Sequence, residues 1–173
     1  MRRAQRGDRA AFDELVRRHR DRVYAVALRL TRNTADAEDA LQDAFVSAYR
    51  ALHRFDARSR FSTWLYRIVV NASHDTVARR RPATSLDADE APEPVAPGDP
   101  YAQHAERRAL LDALGALAPE FREAVVLCDV AGLGATEAAE ILGVPAGTIK
   151  SRVFRARAEL ARALREPSPP ETV

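Results

Sequence analysis

The sequence predicts an all-α protein in which two small helical domains, residues 1–81 and 101–166, are joined by an acidic, proline-rich linker at 82–100. Apolar residues recur at three- and four-residue steps through both domains, as on the buried face of an amphipathic helix. The linker instead holds five prolines and five acidic residues with no basic residue. This composition is typical of an extended, solvated segment. Residues 167–173 contain three prolines and predict a disordered tail.

Three helices account for the first domain. Asp8 is a suitable N-cap for the first helix, whose apolar stripe continues to Leu30. The second helix follows Asn33–Thr34. The third follows Ser62 and ends before Pro82, because proline cannot continue a helix.

Asp99–Pro100, at the end of the linker, leads into the first helix of the second domain: a capping acid is followed by a proline suited to the first helical turn. Pro119 opens a second helix, which we expect to continue through Cys128. Cys128 is the only cysteine of the chain, so it cannot form an internal disulfide, and we expect a buried packing thiol.

The last two helices have the pattern of a helix-turn-helix. Thr136 is a suitable cap for a short helix over 137–142, and the second helix is expected from about 147 to 164. Ala139 is small enough for close helix contact, and Gly143 allows the positive backbone φ that the turn needs. Two apolar residues face the first helix: Ile149 and Val153.

The outward face of this last helix is basic and polar. A recognition helix places such side chains against base edges and phosphates in the major groove. The alternative is a solvated basic face on an ordinary helical hairpin. The candidates for DNA contact are Thr148, Lys150, Ser151, Arg152, Phe154 and Arg155, and Arg157 also lies on this face.

Composition excludes several classes of protein. Residues 1–81 hold 18 arginines against 10 acidic residues, which is compatible with binding a polyanion. The four histidines have no zinc-ligand spacing, and no apolar run reaches the roughly 18 residues of a membrane span. We therefore expect a cytoplasmic protein that does not insert in membranes and uses no metal or other cofactor.

Two stretches of the first domain carry further chemistry. Residues 36–45 place acidic side chains on the helix face away from Leu41 and Phe45. Residues 61–71 combine aromatic rings and an asparagine, after a loop rich in arginine. Such residues suit single-stranded DNA, because rings stack on bases and arginines follow the backbone.

These two stretches resemble region 2 of the extracytoplasmic-function sigma factors, group 4 of the sigma-70 family. Residues 147–157 are similar to the recognition helix of their region 4, and the resemblance covers both domains in order, over residues 8–165. It implies a non-enzymatic subunit that binds core RNA polymerase and directs promoter-specific initiation. Its implied partners are the clamp and flap regions of the polymerase, promoter DNA and an anti-sigma factor, with a monomeric free chain.

The resemblance also assigns roles to the first domain. It implies that an acidic helix face docks on the polymerase clamp, through Asp36, Glu38, Asp39, Gln42 and Asp43. It implies minus-ten DNA contacts by Phe55, Arg58, Arg60, Phe61, Ser62 and Asn71, and by the duplex-facing residues His74, Arg79 and Arg80. Trp64 and Leu65 are expected in the core instead, because they share helical spacing with Ile68.

Two other interpretations remain at this point. One is a helix-turn-helix regulator that dimerises and binds operator DNA without polymerase. The other treats the acidic cluster Asp36, Glu38, Asp39 and Asp43 as a metal site for phosphodiester chemistry, although the helical positions of these acids diverge and no histidine joins them.

Overall fold

The computed structural model describes residues 1–80 and 100–165, and the regular elements within these ranges are all helical. For residues 100–107 only the helical backbone is described. The predicted linker up to residue 99 and the predicted tail lie outside the described residues. Within the described part of the chain, no helix is both long and apolar enough to cross a membrane.

The N-terminal unit, residues 1–80, is built on the three predicted helices. Helix packing buries a row of alanines on the second long helix, Ala37, Ala40, Ala44 and Ala48, each with no exposed surface. Small side chains along one face let neighbouring helices pack closely. The helices are α1 (Arg2–Gln5), α2 (Arg9–Thr31), α3 (Thr34–Ala51) and α4 (Phe61–Arg80), with a 3₁₀ turn at Leu52–Arg54.

Side-chain caps fix where α2 and α3 begin. The Asp8 carboxylate accepts a hydrogen bond from the Ala11 N–H at 3.0 Å, which confirms the predicted N-cap. Asn33 caps α3 in the same way, accepting from the Asp36 N–H at 2.9 Å. Between them, Arg32 adopts a positive φ of 61° and ends α2. A left-handed residue at this position is a common helix C-cap.

The short helix α1 was not predicted. Its Gln5 side chain donates a 2.7 Å hydrogen bond to the Phe55 carbonyl, and Ala4 is buried in a small cluster with Phe12 and Leu52. A four-residue helix has no apolar period of its own, so its position depends on these distant contacts.

The C-terminal unit, residues 100–165, contains the four predicted helices with one change of geometry. The helix that Pro119 opens changes to a π-helical turn at Val126–Val130, where the Ala131 N–H donates to the Val126 carbonyl at 3.0 Å. Cys128 is half-buried in this turn. The helices are α5 (Pro100–Ala116), α6 (Pro119–Val125), α7 (Ala135–Leu142) and α8 (Ala146–Ala163).

The prediction that Thr136 caps α7 is wrong. The helix begins at Ala135 with Gly134 at the N-cap, and Thr136 is exposed in the first turn. The Glu137 carboxylate accepts from the Gly134 N–H at 3.2 Å, as the acidic partner in a capping box does. The hydrogen bond between the Gly134 N–H and Glu137 therefore fixes the start of α7, two residues earlier than a cap at Thr136 predicts.

Candidate nucleic-acid interface

Helices α7 and α8 form the predicted helix-turn-helix. Gly143 has a φ of 67° at the turn, and the Val144 N–H donates to the Ala139 carbonyl at 3.2 Å, so the chain reverses between the helices. Ile149 and Val153 are buried, as predicted. The inward face of α8 is thereby fixed, and its opposite face is turned outward.

The outward face of α8 carries the predicted basic and polar side chains. Lys150, Ser151 and Arg155 are exposed, and Phe154 is the most exposed large apolar side chain described, at 76%. The structure also places the two remaining candidates on this helix, both partly exposed: Thr148 and Arg152.

Arg157 is held away from this surface. Its guanidinium forms two hydrogen bonds to the Asp129 carboxylate, at 2.6 and 3.0 Å. Bidentate pairs of this kind are the stronger and more directional charged hydrogen bonds. The charge available to a ligand of α8 therefore comes from Lys150, Arg152 and Arg155 rather than from Arg157.

An aromatic cluster lies where α4 begins. The rings of Phe55 and Trp64 are 5.1 Å apart, and those of Phe61 and Trp64 are 5.5 Å apart. Phe61 and Trp64 are half-buried, but Phe55 is only 8% exposed. This corrects the assignment of Phe55 to DNA contact: its ring packs beneath Phe61 as part of the core.

The loop before α4 is exposed and basic. Arg58 and Arg60 are exposed, and Ser62 is partly exposed. Arg58 forms a 2.7 Å ion pair with Asp56. Such an exposed pair contributes at most about 1 kcal/mol, so it can exchange for a phosphate at little cost.

The remaining minus-ten candidates do not share one surface. Asn71 is exposed, and no hydrogen bond joins its side chain to another described residue. His74 forms a 2.8 Å contact with Glu123 of α6. Arg79 and Arg80 instead contact α3, so the duplex-facing set divides between two sides of α4.

Most of the acidic candidates on α3 are exposed, although the Asp36 side chain is only 16% exposed, and two of them form ion pairs with arginines. Asp43 accepts from Arg79 at 2.9 Å, and Asp36 accepts from Arg80 at 2.9 Å. Glu38, Asp39 and Gln42 are also exposed. Within the described residues, no group of three acidic, histidine or cysteine side chains could hold a metal ion.

Apolar residues continue this acidic face, and the sequence analysis did not select them. Val46 is 49% exposed and Tyr49 is 42% exposed, on the same side of α3 as Gln42. The sequence did contain a signal for this face, because Gln42, Val46 and Tyr49 follow one another at steps of four and three residues. The buried series through Leu41 and Phe45 concealed it.

His19 of α2 also borders the aromatic cluster, and the sequence analysis did not select it as a site residue. The His19 ring lies edge-on to Phe61, with ring centroids 5.2 Å apart. Burial and the neighbouring Arg22 and Arg18 lower the pKa of His19, so the neutral imidazole is favoured at neutral pH. Arg22 is exposed, and its charge also acts on Tyr66 of α4.

Comparison with known proteins agrees with this division into two units. Residues 15–83 match the family model for sigma-70 region 2, and residues 107–160 match the model for sigma-70 region 4. The chain is 44% identical to the ECF RNA polymerase sigma factor SigM of Mycobacterium tuberculosis, over 91% of this chain and 79% of that protein.

A second relative and a solved structure extend the comparison. The ECF RNA polymerase sigma factor SigE of Mycolicibacterium smegmatis is 43% identical over 89% of this chain, and the chain spans 63% of that protein's length. The sigma factor RpoE of Bartonella quintana, solved in complex with the anti-sigma factor NepR, is 28% identical with a TM-score of 0.76, covering 90% of this chain and 97% of that one.

Proposed function

Because the chain belongs to the extracytoplasmic-function sigma factors of the sigma-70 family, we propose that its two units divide promoter recognition between them. The N-terminal unit binds core RNA polymerase and the melted minus-ten element, and the C-terminal unit binds the minus-thirty-five duplex. The polymerase carries out the chemistry of RNA synthesis. The exposed basic face of α8 within a helix-turn-helix is the observation that supports this proposal most directly.

Helix α8 enters the major groove with its N-terminal half. Lys150 and Arg155 are exposed and form no ion pair with any described residue, so they are available to guanine edges or phosphates. The open Phe154 ring can contact a thymine methyl group. Thr148, Ser151 and Arg152 lie on the same helix and complete the contact surface.

The start of α4 holds the unstacked minus-ten strand. Phe61 offers its ring face to a base, while Phe55 and Trp64 support that ring from within. Arg58 and Arg60 follow the phosphates. The Asn71 amide can pair with the edge of a flipped base, because it is exposed and has no intramolecular partner among the described residues.

The exposed face of α3 binds the polymerase clamp. Its acidic side chains suit a basic partner surface, and Val46 and Tyr49 add the apolar area that a stable interface needs. The docking residues are Asp36, Glu38, Asp39, Gln42 and Asp43, extended by these two apolar neighbours.

An anti-sigma factor is a further proposed partner. The structural relative RpoE was solved with the anti-sigma factor NepR, and its similarity covers both units of this chain. A protein that holds the two units would prevent polymerase and DNA from reaching them together. The complex of that relative supports the proposal that such a partner regulates this chain.

Substitution of Arg155 tests the assignment of α8. The chain with Arg155→Ala, reconstituted with core polymerase, should bind its promoter about tenfold or more weakly, since a good base contact is worth about 1–3 kcal/mol. Arg162→Ala is the matched control, because it removes the same charge from the exposed far end of α8. Equal losses of promoter affinity in both variants would indicate that α8 contributes only nonspecific positive charge.

A further inference from the structure

Arg157 lies on the outward stripe of α8, although its side chain bonds within the protein. Lys150, Phe154 and Arg157 follow one another at steps of four and three residues, so they share one helix face. A recognition helix reads bases near its N-terminus, and its later turns pass the DNA backbone. The backbone position of Arg157, one turn beyond Phe154, therefore suits contact with a phosphate.

Asp129 occupies the edge of the guanidinium group that would hold a phosphate. Arg157 Nε donates to one Asp129 carboxylate oxygen at 3.0 Å, and Arg157 Nη2 donates to the other at 2.6 Å. Arginine uses the same fork of N–H groups for bidentate contact with a phosphate, so carboxylate and phosphate compete for one set of donors. The pair is also neutral as a whole, so this part of α8 presents no net charge to DNA.

The π-helical turn at Val126–Val130 brings Asp129 to this position. A π turn takes in one extra residue, which rotates the side chains that follow by about 100° around the helix axis. Val126 and Leu127 of this turn are fully buried in one cluster with Ala156, the residue before Arg157. Packing in the core therefore sets the distance between Asp129 and Arg157.

The pairing distinguishes Arg157 from the basic residues that precede it on α8. Lys150, Arg152 and Arg155 form no ion pair with any residue that the structure describes. The side chains of Arg157 and Asp129 are 62% and 35% exposed, so a phosphate can reach the pair and compete for it. Asp129 thus weakens the contribution of one cation of α8 and leaves the three earlier ones available.

From this competition we infer that Asp129 limits sequence-independent DNA binding by α8, because it withholds Arg157 from the phosphates. Asp129 is a positioning residue, since it acts through Arg157. The inference rests on the proposed role of α8 in binding DNA. Phosphate contacts bind all sequences alike, whereas contacts to base edges carry the sequence information. Pairing of Arg157 within the protein keeps the number of phosphate contacts low.

Substitution of Asp129 by asparagine tests this inference in the whole chain without polymerase. Asp129→Asn keeps the shape of the side chain and removes the charge that holds Arg157. The probe is a fluorescent DNA duplex of scrambled sequence, which contains neither promoter element. The affinity should rise about three- to tenfold at about 0.1 M salt, and the salt dependence should steepen by up to about one added phosphate contact.

The rise in affinity should require Arg157. Asp129→Asn combined with Arg157→Gln removes both charges of the neutral pair, so its affinity and salt dependence should return to those of the wild type. A role of Asp129 in folding alone would not produce a steeper salt dependence that vanishes with Arg157. A loss of affinity in Asp129→Asn overturns the inference, because Asp129 would then orient Arg157 toward DNA.

Glu120→Gln is the matched control, because it removes one acidic charge from the exposed start of α6. An equal rise in affinity in this variant would attribute the effect to net charge and would overturn the inference. Unchanged affinity in Asp129→Asn would overturn it as well.

Arg155→Ala separates this inference from the proposed function. It removes a proposed DNA contact of α8, so it should weaken binding to the same scrambled duplex. If it does so while Asp129→Asn has no effect, only the role of Asp129 is wrong. If neither variant changes duplex binding, the proposed function of α8 fails together with the inference.

Discussion

At the scale of single residues, the structure pairs groups that the sequence analysis assigned to different ligands. Asp43 and Asp36 are candidates for polymerase binding. They form ion pairs with Arg79 and Arg80, respectively, which are candidates for DNA contact. The residues come from different helices, so no local spacing could predict these pairs. The Asp43–Arg79 pair is largely exposed and contributes at most about 1 kcal/mol. Exchange of either partner for an external ligand is therefore inexpensive.

Asn71 provides the sharpest test of the minus-ten surface. Asn71→Ala should weaken promoter opening by about tenfold, because the amide is proposed to pair with a flipped base. Core binding should not change, since Asn71 is on α4 and the proposed docking face is on α3. Permanganate footprinting of the open complex measures the first effect, and co-elution with core polymerase measures the second.

Asp75→Asn is a suitable control for that experiment, because Asp75 is a neighbouring exposed residue of α4 that is assigned to no DNA contact. Unchanged opening and promoter preference in the Asn71→Ala variant would remove this residue from the site.

Because His74 contacts Glu123, we expect the packing of the two units against each other to depend on pH. The hydrogen bond to Glu123 is the main reason that the pKa of His74 is raised above its usual 6.5, and the charges of Glu123 and Asp75 add to it, although burial opposes the shift. A raised pKa means that the packed state binds the proton more tightly than the opened state. The stabilisation is therefore complete below pH 6.5 and is lost as the pH rises through the raised pKa.

The radius of gyration of the free chain should accordingly increase as the pH rises through that window. His74→Gln should remove the dependence, since it cannot be protonated. The same increase in this variant would show that another group controls the packing.

At the scale of elements, the turn between α7 and α8 depends on one glycine. Gly143→Ala should lower the free energy of unfolding by about 1–2 kcal/mol, because a side chain at its φ of 67° is strained. Gly147→Ala is the control: it lies within α8, has no positive φ, and has open space around it. That variant should gain about 0.5–1 kcal/mol in urea denaturation. Destabilisation of similar size in both variants would contradict the role of the turn.

The exposed face of α3 predicts a separation of binding from stability. Asp43→Asn should weaken core polymerase binding several-fold while changing the free energy of unfolding by less than about 1 kcal/mol, because its pair with Arg79 is exposed. Titration of labelled core polymerase and urea denaturation give the two quantities. Asp13→Asn, on the exposed surface of α2, should change neither, and an equal loss of binding there would count against α3 as the docking face.

Local sequence signals were sufficient for most elements. The Asp8 cap, the positive φ of Gly143 and the buried face of α8 each follow from residues a few positions apart. The start of α7 does not, because Gly134 takes the N-cap position and its N–H donates to Glu137, so the helix begins two residues before the predicted start. The burial of Phe55 also escaped prediction, since it depends on contacts with α1 and Trp64.

At the scale of the whole molecule, the packing of the two units could not be predicted from periodicity. Thr63 and Glu137 are 74 residues apart, and His74 and Glu123 are 49 residues apart. Neither pair has any local signature, and the acidic segment between the units lies outside the described residues. The contacts between the two units are thus a property of the folded chain.

Run-off transcription by core polymerase tests the central claim most directly, using a promoter selected by sequencing the DNA that the reconstituted complex binds. Adding the chain should produce a transcript that is lost when either the minus-ten or the minus-thirty-five element is scrambled. This result would mean that recognition of one promoter requires both units, as expected for two binding sites tethered in one chain. Failure to bind core polymerase, or a transcript that is indifferent to both elements, would contradict the account.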